Sequence, residues 1–316
     1  MKRIIIALAA MWLAGGMAAA QDSYPSRTVR LLCWSSAGSP LDVMMRQLGR
    51  QLADLLGQPF VVENRPGGEG GIAMAALLNS PADGYTILST TSSMSFAMAT
   101  RGGRHTPHEF TVLPALQSEP SAVAVRADSP FKTVQDFIAA VRAQPERISV
   151  GGFSSAGFHQ YVYYRMQQMA GFKSIWVPFK GGGDAATALL GGHIQASVMT
   201  PSSALSQIQN GDIRLIAVSS AKRDEYLPEV PTFKEQGLDI VEALWRGVMV
   251  RADTPRPIVD KLIEAMETIK RSKEWQEFSR QNMQSSVTVS LDGMQRQVRE
   301  EVAAYRAFLE TVGAAK

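Results

Sequence analysis

Residues 28–57 read TVRLLCWSSAGSPLDVMMRQLGRQLADLLG. The first seven are apolar and β-rich, the last fifteen carry helical spacing, and SSAGSPLD (Ser35–Asp42) is a small-residue turn between them. In such a turn the amide N–H groups and the positive end of a helix dipole converge on one point, where α/β proteins tend to hold a ligand. The pattern continues outward with PFVVEN, a helix over Gly71–Asn79 and then GYTILSTT, an order that predicts a parallel, doubly wound sheet.

The alternation then restarts. SAVAVRA, the helix TVQDFIAAVRAQ, ISVGG, a helix over His159–Met169, SIWVPF, a helix over Ala185–Leu190, IQASVMT and RLIAVSS follow one another. Two α/β sheets, each with its own helices, account for this better than one large sheet. After LWRGVMVRADTP the chain is almost wholly helical, over Pro257–Lys270, Glu274–Gln281 and Leu291–Val312. The amphipathic spacing of Ile258, Leu262, Ala265, Met266 and Ile269 predicts helices that return to cover the first sheet. The lobes are then 21–123 plus 249–316 and 124–248, joined by crossings near Ser121 to Val125 and near Trp245 to Val250, with a cleft between them.

Composition bounds the function. The chain has 316 residues, 45% apolar and 19% charged, which suits a globular protein of two lobes. Its first residues, MKRIIIALAAMWLAGGMAAAQDS, place Lys2 and Arg3 before an apolar stretch and Ala18–Ala20 at a small-residue cleavage site. This predicts a signal peptide over 1–20, cleaved after Ala20, and a periplasmic protein; the apolar stretch falls short of the ~20 residues a membrane span requires. Without Lys2 and Arg3 the balance of 32 cations to 29 acids becomes 30 to 29, which argues against a nucleic-acid partner. Cys33 is the sole cysteine, so an intrachain disulfide and a multi-cysteine metal site are excluded.

Three strand-to-helix loops carry small donors. The first is Ser35–Asp42. In the second, GGFSSAGFHQYVYYRM, Ser154 and Ser155 offer hydroxyls and Ala156 and Gly157 offer amides, either as a helix cap alone or as cap and ligand donors. In the third, VPFKGGGDA, Lys180 either pairs with a carboxylate or is a solvated cation. ENRPGGEGG lacks the lysine of a phosphate loop and the spacing of a dinucleotide loop, and reads as a tight turn. His159 has no local acidic partner and no GxSxG elbow is present, so a hydrolase built on Ser155 and His159 is the less favoured reading. His105, His108 and His193 read as loop residues, and neither a metal nor a cofactor is expected.

The ordered motifs YPSRTV, AGSPLD with Arg46, VENRPGGEGGI, SPADGYTIL, VPFKGGGDAATALLGGHI, IRLIAVSSAKRDEYLPEVPTFKEQG and LWRGVMVRADTP give the chain its kinship. It resembles the Bug-type extracytoplasmic solute-binding proteins of tripartite tricarboxylate transporters. The resemblance implies a two-lobe, type II-like Venus-flytrap fold that holds a small organic acid in its cleft. It further implies delivery to membrane transporter subunits by a monomer without enzymatic activity; presentation to a membrane signalling partner is the alternative. Carried over by position, it assigns carboxylate contacts to Ser35, Ser36, Ala37 and Gly38 in the first lobe and to Ser154, Ser155 and His159 in the second. Thr91, Ser92 and Thr200 at strand ends, with Phe179 and Gly181 beside Lys180, complete the expected set. Two departures from the family pattern add aromatic surface: Trp34 in the first loop, and Phe153 and Phe158 in FSSAGFH. Trp34 and Phe158 either fill the core behind their loops, which is the favoured reading, or point into the cleft and stack on an aromatic carboxylate.

Overall fold

A computed structural model describes residues 24–100, 104–145, 147–155 and 157–313; the expected signal peptide, 1–20, lies outside them. The first sheet opens with β1 (Val29–Cys33), whose apolar residues are buried, and β1 leads into helix α1 (Pro40–Leu56). Ser39 caps α1 by accepting a hydrogen bond from the Asp42 amide, Pro40 occupies its first turn, and Gly57 ends it at φ 73°. Leu41, Met44, Met45, Leu48 and Leu52 form its buried face. Gly49 permits close approach to the sheet, since a Cβ there would lie 2.9 Å from Leu31 and 3.1 Å from the Phe60 carbonyl oxygen.

β2 (Phe60–Asn64), α2 (Gly71–Leu78), β3 (Thr86–Thr91) and α3 (Ser92–Ala99) follow, with β1 parallel to both β2 and β3. The short strands β4 (Phe110–Val112) and β5 (Gln117–Pro120) come next. The chain then enters the second sheet with β6 (Ala122–Arg126), α4 (Val134–Ala143), β7 (Ser149–Phe153), α5 (Phe158–Ala170), β8 (Ile175–Phe179), α6 (Gly182–Leu190), β9 (Ala196–Met199), α7 (Leu205–Gln209) and β10 (Ile213–Val218). This five-stranded sheet runs β10-β6-β9-β7-β8.

The chain rejoins the first sheet with β11 (Ala243–Arg251), followed by α8 (Arg256–Arg271), α9 (Lys273–Gln281), β12 (Ser285–Ser286) and α10 (Leu291–Thr311). The first sheet runs β12-β5-β11-β3-β1-β2, with β4 also on β11. Because β11 pairs with β5 from Ala243 and with β3 from Arg246, the second crossing comes before Ala243, earlier than Trp245 to Val250. The α8 positions Ile258, Leu262, Ala265, Met266 and Ile269 are all buried, and α8 packs against α1.

Candidate functional site

The first loop is pinned from beneath. Asp42, 2% exposed, accepts hydrogen bonds from the Gly38 amide (2.9 Å), Arg46 Nε (3.0 Å) and Asn64 Nδ2 (2.8 Å), and Asn64 Nδ2 also donates to the Ser35 carbonyl (3.0 Å). Burial opposes the charge on Asp42, yet the bonds from Arg46, Gly38 and Asn64 outweigh it and hold the carboxyl below its usual range. Ser35 and Ser39 share a hydroxyl bond of 2.6 Å, and the Trp34 amide donates to Ser89 Oγ at 3.2 Å. The loop is therefore a fixed edge.

The second-lobe loop is fixed as firmly. Gly152 sits where a Cβ would meet the Trp176 ring at 2.5 Å and the Val198 carbonyl oxygen at 2.7 Å, so β7 reaches the loop only with glycine there. Ser154 takes the left-handed conformation at φ 64°; its amide donates to the Phe179 carbonyl (2.9 Å), and its own carbonyl accepts from Trp176 Nε1 (3.1 Å). The N-cap of α5 is Gly157, with no side-chain cap bond, so the serines are not its cap.

Between the two loops lies a cavity of about 810 Å³, within the range of small-molecule sites. Four helices present their first turns to it: α1 through Ser39, Pro40 and Leu41, α3 through Thr91 and Ser93, α5 through His159, and α6 through Gly181, Gly182 and Asp184. Each helix N-terminus carries roughly half a positive charge, and four around one cleft, two from each lobe, favour an anion.

A full cation adds to this field. Arg246 of β11, 4% exposed, lines the cavity and pairs with Glu119 of β5. The contact runs from the buried Nη1 to Glu119 Oε1. Glu119 also accepts from the Ser202 amide (3.1 Å) and Ser202 Oγ (2.7 Å), which ties the first lobe to the segment after β9. Beside them His159 shares a 3.0 Å hydrogen bond between its Nδ1 and Ser121 Oγ, leaving Nε2 for the cleft. Burial, and secondarily the Arg246 charge, push its pKa down to about 3, so the ring is neutral.

Ten of the expected residues line the cavity: Trp34, Ser35, Ser36, Thr91, Ser154, His159, Phe179, Lys180, Gly181 and Thr200. Ala37 and Gly38 stand off it, and the Gly38 amide is committed to Asp42. Ser92 is wholly buried, and Ser155 and Gly157 lie outside the lining; Ala156 is not among the described residues. Phe158 is 1% exposed and packs edge-on to His159 at 5.4 Å in the core, so it has no face to offer a ligand. Phe153, tilted against Trp34 at 6.4 Å, supplies aromatic surface in its place. Sequence reasoning also missed Ser93, Asp184, Ser203, Leu244 and Arg246. The signal for Arg246 was available as a lone cation inside the apolar run LWRGVMV. Among the described residues, no group of three or more His, Cys, Asp or Glu is placed to hold a metal.

Residues 44–314 match TctC, the tripartite tricarboxylate transporter family receptor. The chain belongs to that family. This TctC-family receptor is 31% identical to the UPF0065 protein in the gbd 5' region of Cupriavidus necator, over 99% of its own length and 96% of that relative's. An R. palustris protein solved with adipate superimposes on the receptor with a TM-score of 0.82 at 26% identity, covering 92% of this chain and 98% of that one. The periplasmic binding protein BugD matches with a TM-score of 0.81 at 24% identity over 92% and 99% of the two chains, a likeness of fold. The two sheets are thus the two lobes of a periplasmic binding protein fold, as the Bug-type resemblance implied.

Proposed function

We propose that this TctC-family protein is an exported receptor that captures a small organic carboxylate between its lobes and delivers it to the membrane subunits of a tripartite tricarboxylate-type transporter. The observation that carries this reading is the convergence of four helix N-termini and Arg246 on one cleft. Adipate in the R. palustris protein supports a carboxylate as the ligand class. Ser35, Ser36, Ser93 and Thr91 would meet the ligand from the first lobe, and Ser154, His159, Thr200 and Lys180 from the second.

Capture without turnover is supported by the state of His159. Its Nδ1 is engaged by the buried Ser121, not by Ser155, and a ring held neutral to about pH 3 is a weak base for activating a hydroxyl. No helix of the described residues is long and apolar enough to cross a membrane.

A thermal-shift series with malate, adipate, benzoate and terephthalate tests the ligand class. A true ligand at 100 times its Kd adds about 2.7 kcal/mol to stability. A melting temperature that none of these acids raises, but that a neutral sugar does, would contradict carboxylate capture.

A further inference from the structure

Arg246 is a buried guanidinium whose requirements the protein leaves unmet. Five N–H donors radiate from an arginine side chain. Among the described residues its only charged contact is Glu119 Oε1, made through the buried Nη1, which leaves the rest of the fork for other partners. A cation with N–H groups to spare beside a cavity marks where a ligand anion is to sit. Trp34, 7% exposed, lines the same cavity; its Nε1 is sealed from solvent, so the indole offers the cleft ring surface rather than its N–H.

The two residues belong to one edge of one sheet. Arg246 lies opposite Thr91 in the β11–β3 pair, β3 neighbours β1, and Trp34 directly follows β1. Glu119 stands one residue before Pro120, where the chain crosses to the second lobe, so this edge is the hinge side of the cleft. Leu41, Phe153 and Leu244 line the same cavity, Phe153 tilted against the Trp34 ring.

We propose that Arg246 receives a carboxylate of the ligand at the hinge side of the cleft, and that the Trp34 ring and the apolar side chains near it select an acid with an apolar, ring-bearing body over a hydroxylated one. Glu119 has a defined part in this. It offsets the Arg246 charge and, being held by Ser202, keeps the guanidinium in place through Nη1, which leaves its other N–H groups for the ligand. The inference rests on the carboxylate-receptor reading and names the class of acid and the group that binds it.

The test is calorimetric titration of benzoate, benzamide, adipate and malate into the protein, its Glu119→Gln/Arg246→Gln double variant, and Arg246→Lys. The double variant removes both charges together, so no lone buried charge remains, and circular dichroism with a melting curve establishes that it is folded. Loss of a charge-assisted carboxylate contact is expected to weaken benzoate binding roughly 10- to 100-fold. Benzamide should bind the wild type more weakly than benzoate by a similar factor, that gap should close in the double variant, and Arg246→Lys should recover part of the loss. Equal benzoate affinity in the wild type and the folded double variant would overturn the role of Arg246. Malate binding more tightly than benzoate would overturn the selection for an apolar body. If none of the three acids binds the wild type, the receptor reading fails and this inference with it; if an acid binds wild type and double variant alike, only this inference fails.

Discussion

Glu119→Ala is expected to lower the stability of the protein by about 3–5 kcal/mol, the range seen when one partner of a buried ion pair is removed. The side chain of Glu119 is fully enclosed, that of Arg246 is 5% exposed, and alanine leaves the guanidinium without a counter-charge in the same enclosure. The change also strips the Ser202 amide and hydroxyl of their acceptor, which loosens the tie between the first lobe and the loop after β9. Glu119→Gln/Arg246→Gln removes the charge from both positions and should cost far less, because the penalty belongs to the orphaned charge rather than to the absence of the pair. Denaturant unfolding of the three proteins reads this directly. A loss below about 1 kcal/mol in Glu119→Ala, a value typical of an exposed pair, would show that Glu119 and Arg246 are not enclosed together.

Acidification is expected to reveal His159 with a comparable effect. The folded protein holds the ring near a pKa of about 3 through burial and the neighbouring Arg246, whereas the unfolded chain takes up the proton near 6.5. Between these values the unfolded state binds one more proton, so stability falls as pH drops through the window from about 6.5 to about 3, and the contribution is fully present above 6.5. At about 1.4 kcal/mol per unit, the whole window corresponds to roughly 4–5 kcal/mol. His159→Gln loses the bond to Ser121 at every pH but has no proton to take up. The stability gap between wild type and variant should therefore shift by roughly 3 kcal/mol in the variant's favour between pH 7 and pH 4. A gap independent of pH over that range would mean that His159 is solvated in the folded protein.

Much of this organisation was legible in the sequence because it is local. The α1 face of Leu41, Met44, Met45, Leu48 and Leu52, its Ser39 cap and Gly57 terminus lie in one continuous stretch, and the small-residue loops at Ser35 and Ser154 follow strands that read as strands. Helix α3 was hidden for the opposite reason. SSMSFAMA is buried on nearly all sides, so no amphipathic stripe marks it as a helix. β5 reads QSEP, too polar for an inner strand, and becomes one only because Glu119 meets Arg246, 127 positions further on. Which of two neighbouring side chains faces the cleft is equally a matter of packing. Ser93 lines it and Ser92 does not; His159 lines it while Phe158 fills the core. The Gly38 amide, open to a ligand on sequence grounds, is taken by the Asp42 side chain folding back under the loop.

The claim that a carboxylate is held between the lobes is tested most directly by a crystal structure of the protein grown with the tightest-binding acid of the malate, adipate, benzoate and terephthalate series. The expected density lies in the cavity of about 810 Å³, with the carboxylate against Arg246 and the first turns of α1, α3, α5 and α6 and with contacts from both lobes. Density for the acid on an outer face of either lobe, with the cleft filled only by solvent at saturating concentration, would contradict the account.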